Sequence, residues 1–168
     1  MVSDTTPRDG TLEEIDGRAV LRFERHYAHP VERVWDAITR PEQLAEWFLP
    51  FEAEIELDLV EGGSYVMRMA DPDSTVMTFT VLRVEPPRLF EHTAMDDGAM
   101  RWELEPDGDG CRLVLTQTLS SFERAVENHY ASGMHHSLER LEFALGGKPI
   151  DWSWPRWEEL RDQYVAMR

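Results

Sequence analysis

Histidine side chains are the first candidates for chemistry, because a neutral imidazole can bind a metal ion or transfer a proton. Three of them, His129, His135 and His136, fall within one predicted helix. A metal site needs three or four ligands, and histidines that chelate from one helix are usually four residues apart. His129 and His136 share a flank but are not at that spacing, and His135 is predicted to point outward. We therefore predict no metal and no cofactor.

Paired carboxylates and nucleophiles give no better signal for catalysis. Four acidic residues alternate along one face of a predicted strand: Glu52, Glu54, Glu56 and Asp58. They share one solvated environment, whereas acid–base catalysis needs two carboxyl groups with different pKa values. Cys111 follows a glycine-rich turn, and no Gly-x-Ser-x-Gly motif, phosphate loop or dinucleotide fingerprint is present. We predict no catalytic residues, although the sequence leaves open whether the chain is an enzyme.

A set of apolar side chains forms the remaining candidate site. Six of the eight methionines fall between residues 67 and 134, and flexible thioether side chains suit an adaptable pocket. We predict that ten residues surround a cavity for a small hydrophobic ligand: Trp47, Phe48, Phe51, Met67, Met69, Phe79, Trp102, Met134, Leu138 and Leu141. His92 and Ser137 are predicted to add one or two polar contacts. The alternative is that the same side chains simply fill the core.

Composition limits the kinds of partner. The chain has 168 residues, which favours one domain, and its net charge is −16, from 33 acidic and 17 basic residues. This balance argues against binding to nucleic acid and to anionic membranes, both of which depend on basic patches. Solubility through self-repulsion is the simpler interpretation of the charge. An acidic surface for a basic protein partner is the alternative.

Cysteine content and the N-terminal segment bear on location. Cys111 is the single cysteine, so no internal disulfide can form. No apolar run approaches the length of about 18 residues that a transmembrane helix needs, and the first residues lack a signal-peptide pattern. We therefore expect a cytoplasmic protein.

The elements that must position the candidate residues begin with a hairpin. Residues 12–27 form two predicted strands around Asp16-Gly17, a favoured two-residue turn. Two short helices follow over residues 31–39 and 42–47, and Arg40-Pro41 separates them because proline interrupts a helix.

Beyond residue 51 the period of apolar residues changes from about 3.6 to 2, which predicts strands. About six strands follow at short spacing, so neighbouring strands should be antiparallel. One helix of about 24 residues is predicted over residues 122–147, with Ser121 as its N-cap and Gly146-Gly147 at its end. Its apolar stripe would cover the apolar face of the sheet. The prediction is an α+β fold with two short helices between the first and second sheet strands.

We divide the chain into three parts. Residues 1–11 are predicted to be a flexible tail, and residues 12–147 form the domain. Residues 148–168 are a Trp-rich extension that includes Trp152, Trp154 and Trp157. Three tryptophans so close together should not remain in water, so we expect the extension to pack on the domain. Covering a cavity mouth and forming a homodimer contact are the alternatives.

Five blocks of sequence carry a family resemblance. They are FERHYAHPVERVWDAITRPEQLAEWFLP, EGGSY, VLRVEPPRLFEHT, MRWELEPDGDGCRLVLTQTL and ASGMHHSLERLEFALGG. In this order they resemble the SRPBCC group of START-like, birch-pollen-allergen-like domains, and within it the activator of heat-shock-protein-ninety ATPase homologue-like proteins. The resemblance covers roughly residues 18–147.

The resemblance implies a helix-grip fold, in which a curved antiparallel sheet wraps around a long C-terminal helix and often leaves an apolar cavity. It also implies binding of a small hydrophobic ligand more often than catalysis. A co-chaperone-like interaction with a protein partner is the alternative, and a cyclase- or hydrolase-type enzyme is less favoured. Members commonly carry Gly-Trp-His where this chain has Gly133-Met134-His135, so its cavity should have a different shape.

Overall fold

The computed structural model describes residues 8–167. The strands are β1 (Thr11–Ile15), β2 (Arg18–Tyr27), β3 (Ala53–Leu57), β4 (Ser64–Met69), β5 (Val76–Glu85), β6 (Leu89–Ala94), β7 (Gly98–Asp107) and β8 (Gly110–Leu119). The helices are α1 (Val31–Thr39), α2 (Pro41–Trp47), α3 (Phe122–Glu127), α4 (Tyr130–Leu145) and α5 (Trp154–Ala166). The predicted α+β helix-grip fold is confirmed.

The strands form one antiparallel sheet in the order β1-β2-β8-β7-β6-β5-β4-β3. Strand β2 therefore lies beside the last strand, with Phe23 opposite Leu115. Alternation along β2 and β8 turns one apolar row towards the helices, so that Leu21, Phe23, Leu113 and Leu115 are buried. The register shifts between Val81 and Arg83 of β5, and such an irregularity bends a strand. The bend contributes to the concave inner face that holds α4.

Helices α1 and α2 begin where the prolines predict them, but the prediction placed them one strand too early in the order of elements. Because the hairpin contributes both β1 and β2, helices α1 and α2 follow the second strand rather than the first. Pro41 is the first residue of α2, where a missing backbone N–H removes no helical hydrogen bond. The pair packs against α4, and Trp47 of α2 is completely buried.

The prediction of one long helix over residues 122–147 is wrong. The segment forms two helices, and the chain changes direction at His129, whose φ of 54° is left-handed. Histidine and asparagine adopt this conformation more readily than most residues, and no glycine or proline marked the break. The break lets α3 cover a small separate cluster while α4 lies on the main core. The cluster consists of Ala19, Leu119 and Ala125.

The C-terminal extension forms α5, which packs along α4. Its residues Leu160 and Tyr164 are buried, and the Tyr164 hydroxyl accepts a hydrogen bond from Gly10 N–H at 2.7 Å. Of the predicted tail, residues 1–7 lie outside the described residues, whereas Gly10 is buried and Thr11 belongs to β1. Within residues 8–167, no helix is long and apolar enough to cross a membrane.

Candidate functional site

A cavity of about 380 Å³ opens between the inner face of the sheet, α4 and the C-terminal extension. Its walls come from four parts of the chain, and apolar side chains dominate them. The lining residues are Phe48, Leu49, Pro50, Met69, Met77, Phe79, His92, Ala94, Met95, Met100, Gln117, Asn128, His129, Tyr130, Gly133, Met134, Ser137, Trp152, Trp154 and Trp157. None of these residues is an Asp, Glu, Lys or Arg. A volume of this size is in the range of small-molecule sites.

Six of the twelve predicted site residues line this cavity: Phe48, Met69, Phe79, His92, Met134 and Ser137. Five others are buried in the core instead: Trp47, Met67, Trp102, Leu138 and Leu141. The last, Phe51, is half-buried and lies 6.3 Å from Trp154 between ring centroids. The cavity is thus displaced from the centre of the predicted set towards the α3–α4 break and the extension.

His92 lines the cavity but has no ring nitrogen free for a ligand. Its Nδ1–H donates to the Thr93 carbonyl at 2.8 Å, and its Nε2 accepts from the Trp102 indole N–H at 3.1 Å. Burial lowers the pKa of His92 to about 4, so the ring is neutral. His92 therefore offers a ligand only the face and edge of its ring, rather than the predicted polar contact.

Ser137 is similarly occupied within the protein. Its hydroxyl donates to the Phe48 carbonyl at 3.0 Å and so joins α4 to the segment after α2. Tyr130, at the first turn of α4, donates to the Asp96 carboxylate at 2.7 Å. Burial, followed by this hydrogen bond, raises the pKa of Tyr130 to about 12. The two contacts fix both ends of the cavity-lining part of α4.

Arg140 positions the wall formed by residues 48–50. Its guanidinium donates to four backbone carbonyls, and its side chain is almost fully buried. The acceptors and distances are Glu46 at 3.1 Å, Trp47 at 3.0 Å, Leu49 at 2.6 Å and Ile150 at 3.0 Å. The first three belong to the C-terminal end of α2 and the residues after it, where helical carbonyls lack partners. Arg140 therefore joins α2, α4 and the extension.

A second polar cluster attaches the start of α5 to α4. Arg156 forms a double hydrogen bond with the Glu139 carboxylate, the shortest at 2.8 Å. His136 is buried on α4, where its Nδ1 lies 3.2 Å from Glu139 and its Nε2 accepts from Ser153 N–H at 3.0 Å. Ser153 also caps α5 by accepting from Arg156 N–H. This cluster holds the three tryptophans of the extension at the cavity.

The predicted orientation of His135 is wrong. This residue is buried, and its Nδ1 lies 2.8 Å from the Tyr164 hydroxyl of α5. Burial, with a contribution from the Arg25 charge, lowers the pKa of His135 to about 4. The error arises because α5 covers a face of α4 that the isolated helical pattern leaves exposed.

The remaining candidate groups are metal-ligating side chains, Cys111 and the acidic row. Residues 8–167 contain no group of three or more His, Cys, Asp or Glu side chains that could hold a metal ion. Cys111 is buried, and burial raises the pKa of its thiol to about 11, so the nucleophilic thiolate is disfavoured. The acidic row at residues 52–58 faces solvent. A larger concavity of about 820 Å³ is lined mainly by charged side chains, several of them paired, such as Arg112 with Glu105 at 2.9 Å.

Sequence reasoning missed several cavity residues. The tryptophans of the extension were expected to pack on the domain rather than to line the cavity. Tyr130 and Gly133 were not predicted to line it, because the break between α3 and α4 was not predicted. Gln117 could have been found, because it interrupts the alternating apolar positions Leu113, Leu115 and Leu119 of β8.

Comparisons with known proteins agree with the fold. A family model described as Activator of Hsp90 ATPase homolog 1-like protein matches residues 28–146. The crystal structure of CalU16 from Micromonospora echinospora is similar with a TM-score of 0.72 and 25% identity, covering 98% of each chain. The solution structure of the protein encoded by BPP1335 from Bordetella parapertussis has a TM-score of 0.69 and 26% identity, over 98% of this chain and 94% of that one. A comparison of the sequence with curated proteins found no match.

Proposed function

Since the chain belongs to the family of Activator of Hsp90 ATPase homolog 1-like proteins, we propose that it binds a small hydrophobic molecule in the 380 Å³ cavity, without catalysis. The observation that carries this proposal is the composition of the cavity wall. Aromatic rings and methionines dominate it, and no Asp, Glu, Lys or Arg lines it. Such a wall can exclude water from an apolar ligand and adapt to its shape.

The surrounding core supports the proposal. Trp47, Trp102 and Leu138 are packed at 2% exposure or less on the inner side of the cavity. These three of the predicted site residues therefore fill the core, and the cavity lies beside them. The rings of Trp47 and Trp102 meet edge to face with centroids 6.0 Å apart. A closely packed core beside an apolar cavity is the arrangement expected of a largely preformed binding site.

The extension belongs to the proposed site rather than to a separate unit. Trp154 is 48% exposed, its ring lies 5.5 Å from Trp152 and 5.9 Å from Trp157, and all three line the cavity. An exposed tryptophan at a cavity entrance offers apolar surface that a ligand can cover. We therefore propose that residues 148–168 form one wall of the ligand site.

The test is binding of Nile red, an uncharged apolar dye whose emission rises in an apolar environment. Wild-type protein should bind it saturably, and the melting temperature should rise with dye concentration. Met134→Trp fills part of the cavity and should weaken binding by at least about tenfold, which corresponds to about 1.4 kcal/mol. Met167→Trp makes the same change at an exposed position and should bind the dye as wild type does.

Equal binding by wild type and both variants would locate the dye outside the cavity and contradict the proposal. Failure of the folded wild-type protein to bind Nile red would contradict it as well. Either result would favour the alternative of a protein partner that contacts the acidic surface.

A further inference from the structure

Gln117 is a polar side chain among apolar neighbours on the inner face of the sheet. It lies on β8 opposite Leu21 of β2 and Met100 of β7. Its neighbours on the same face of β8, Leu115 and Leu119, are fully buried. The Gln117 side chain itself is 4% exposed and lines the cavity.

The amide oxygen of Gln117 is buried without a hydrogen-bond partner among residues 8–167. Buried polar groups in proteins nearly always have a partner, because leaving one unpaired costs free energy. A leucine would fill nearly the same volume at this position without that cost. The unpaired amide oxygen therefore points to a hydrogen-bond donor that enters the cavity.

The wall around Gln117 restricts the charge of that partner. No Asp, Glu, Lys or Arg lines the cavity, and the nitrogens of His92, which lies on the same face of the sheet, are already paired within the protein. A carboxylate or ammonium group in the cavity would lose its hydration without gaining a counter-ion. The ligand should therefore be uncharged in the part that reaches the sheet.

The chemistry of an amide specifies the polar group. One end of the Gln117 amide accepts a hydrogen bond and the other donates, whereas a hydroxyl group can do both. A hydroxyl can thus pair with this amide in either orientation. The indole N–H of Trp152 is also buried without a partner among the described residues, but it can only donate, and Trp152 is less deeply buried.

We propose that Gln117 is the hydrogen-bonding anchor for the ligand, and that the ligand is an uncharged hydrophobic molecule with a hydroxyl group at its buried end. This inference depends on the proposed function, because it assigns the ligand class of the same cavity. Gln117 determines specificity by pairing with the hydroxyl, while the aromatic and thioether side chains bind the rest of the molecule.

The experiment compares three probes of similar shape by calorimetric titration: naphthalenemethanol, ethylnaphthalene and naphthoate. Wild-type protein should bind the alcohol and bind naphthoate at least about a hundredfold more weakly, because burying an unpaired charge is costly. Gln117→Leu should weaken binding of the alcohol by about three- to tenfold, the effect of one hydrogen bond. Its affinity for ethylnaphthalene should be unchanged or higher.

A second measurement needs no ligand. Gln117→Leu removes an unpaired buried group and should raise the melting temperature of the free protein. The matched control is Thr116→Val, which changes the adjacent side chain on the opposite face of β8 and should leave probe selectivity unchanged. A lower melting temperature for Gln117→Leu than for Thr116→Val would show that the amide is paired within the protein, and would overturn the anchor.

The outcomes separate the two proposals. If both neutral probes bind but Gln117→Leu leaves the ratio of their affinities unchanged, the anchor is wrong and the cavity function stands. If neither the neutral probes nor Nile red binds the folded wild-type protein, the proposed function fails and the anchor fails with it. Tighter binding of naphthoate than of the alcohol would overturn the assignment of an uncharged ligand.

Discussion

Replacing Arg140 by methionine should destabilise the protein by about 4 kcal/mol. The side chain is 6% exposed and donates hydrogen bonds to the carbonyls of four residues, at distances of 2.6–3.1 Å. A hydrogen bond contributes about 0.5–1.5 kcal/mol net, so four contribute about 2–6 kcal/mol. Methionine keeps most of the buried stem but leaves these carbonyls without their donor, and the estimate lies in the middle of that range.

The assay is urea unfolding at neutral pH, monitored by tryptophan fluorescence. Arg124→Met is the matched control, because Arg124 has a side chain that is 60% exposed and one ion pair, to Asp96 at 2.8 Å. The control should cost less than about 1 kcal/mol, as is typical of exposed ion pairs. Arg140→Lys should fall between the two, because an ammonium group cannot reach every carbonyl in the geometry of a guanidinium.

The same substitution should also weaken ligand binding. Arg140 holds the end of α2 and the following residues that form one cavity wall, so its loss should loosen Phe48 and Leu49. A loss of stability for Arg140→Met no larger than that of Arg124→Met would refute the idea that this guanidinium joins three parts of the chain.

Two pH-dependent predictions follow from Glu139, which is half-buried on α4, and from His135, which is buried there. Burial alone would raise the pKa of Glu139, but hydrogen bonds from His136 and Arg156 outweigh it and lower the pKa to about 2. The unfolded carboxyl, with a pKa of about 4.5, takes up its proton first, so this contribution is present above that pH and is lost as the pH falls towards 2. Glu139→Gln should flatten the acid side of a plot of unfolding free energy against pH, and an unchanged curve would contradict the assignment. Burial of His135 lowers its pKa from 6.5 to about 4. As the pH falls, the unfolded state therefore binds a proton first, and the free energy of unfolding decreases between these two pH values. His135→Gln should reduce the slope in that interval, measured by the same unfolding series, and a slope equal to that of wild type would show that His135 does not titrate as described.

The sheet and its helical cover were predictable because each has a strong local signal. Asp16 and Gly17 both have positive φ in the first hairpin, as a tight two-residue turn requires. Pro41 separates α1 from α2 at the expected position. Alternation of apolar and polar residues fixes which face of each strand is buried, since a shift by one residue would reverse the faces.

The break between α3 and α4 was not predictable in the same way. Helical periodicity continues through Asn128 and His129, and no glycine or proline interrupts it. The left-handed conformation at His129 is stabilised by tertiary packing, since α3 and α4 cover different clusters. This break moves the cavity towards Tyr130 and Gly133, away from Leu138 and Leu141 at the centre of the predicted set.

The contribution of the extension required the structure as well. The sequence indicates that three tryptophans must be covered, but it does not reveal which surface receives them. That surface depends on the contacts of Glu139 with Arg156 and of His136 with Ser153, and the two residues of each pair lie 17 positions apart along the chain. Sequence patterns of helical or strand period cannot detect such pairs.

The most direct test of the proposed ligand site is an NMR titration of protein with labelled methionine methyl groups. Five methionines line the cavity: Met69, Met77, Met95, Met100 and Met134. Met67 is fully buried in the core and Met167 is exposed, so both serve as internal controls. Naphthalenemethanol should shift the signals of the five lining residues with one common affinity, while those of Met67 and Met167 change little. Shifts confined to Met167, or no shifts at saturating probe, would contradict a ligand site in this cavity.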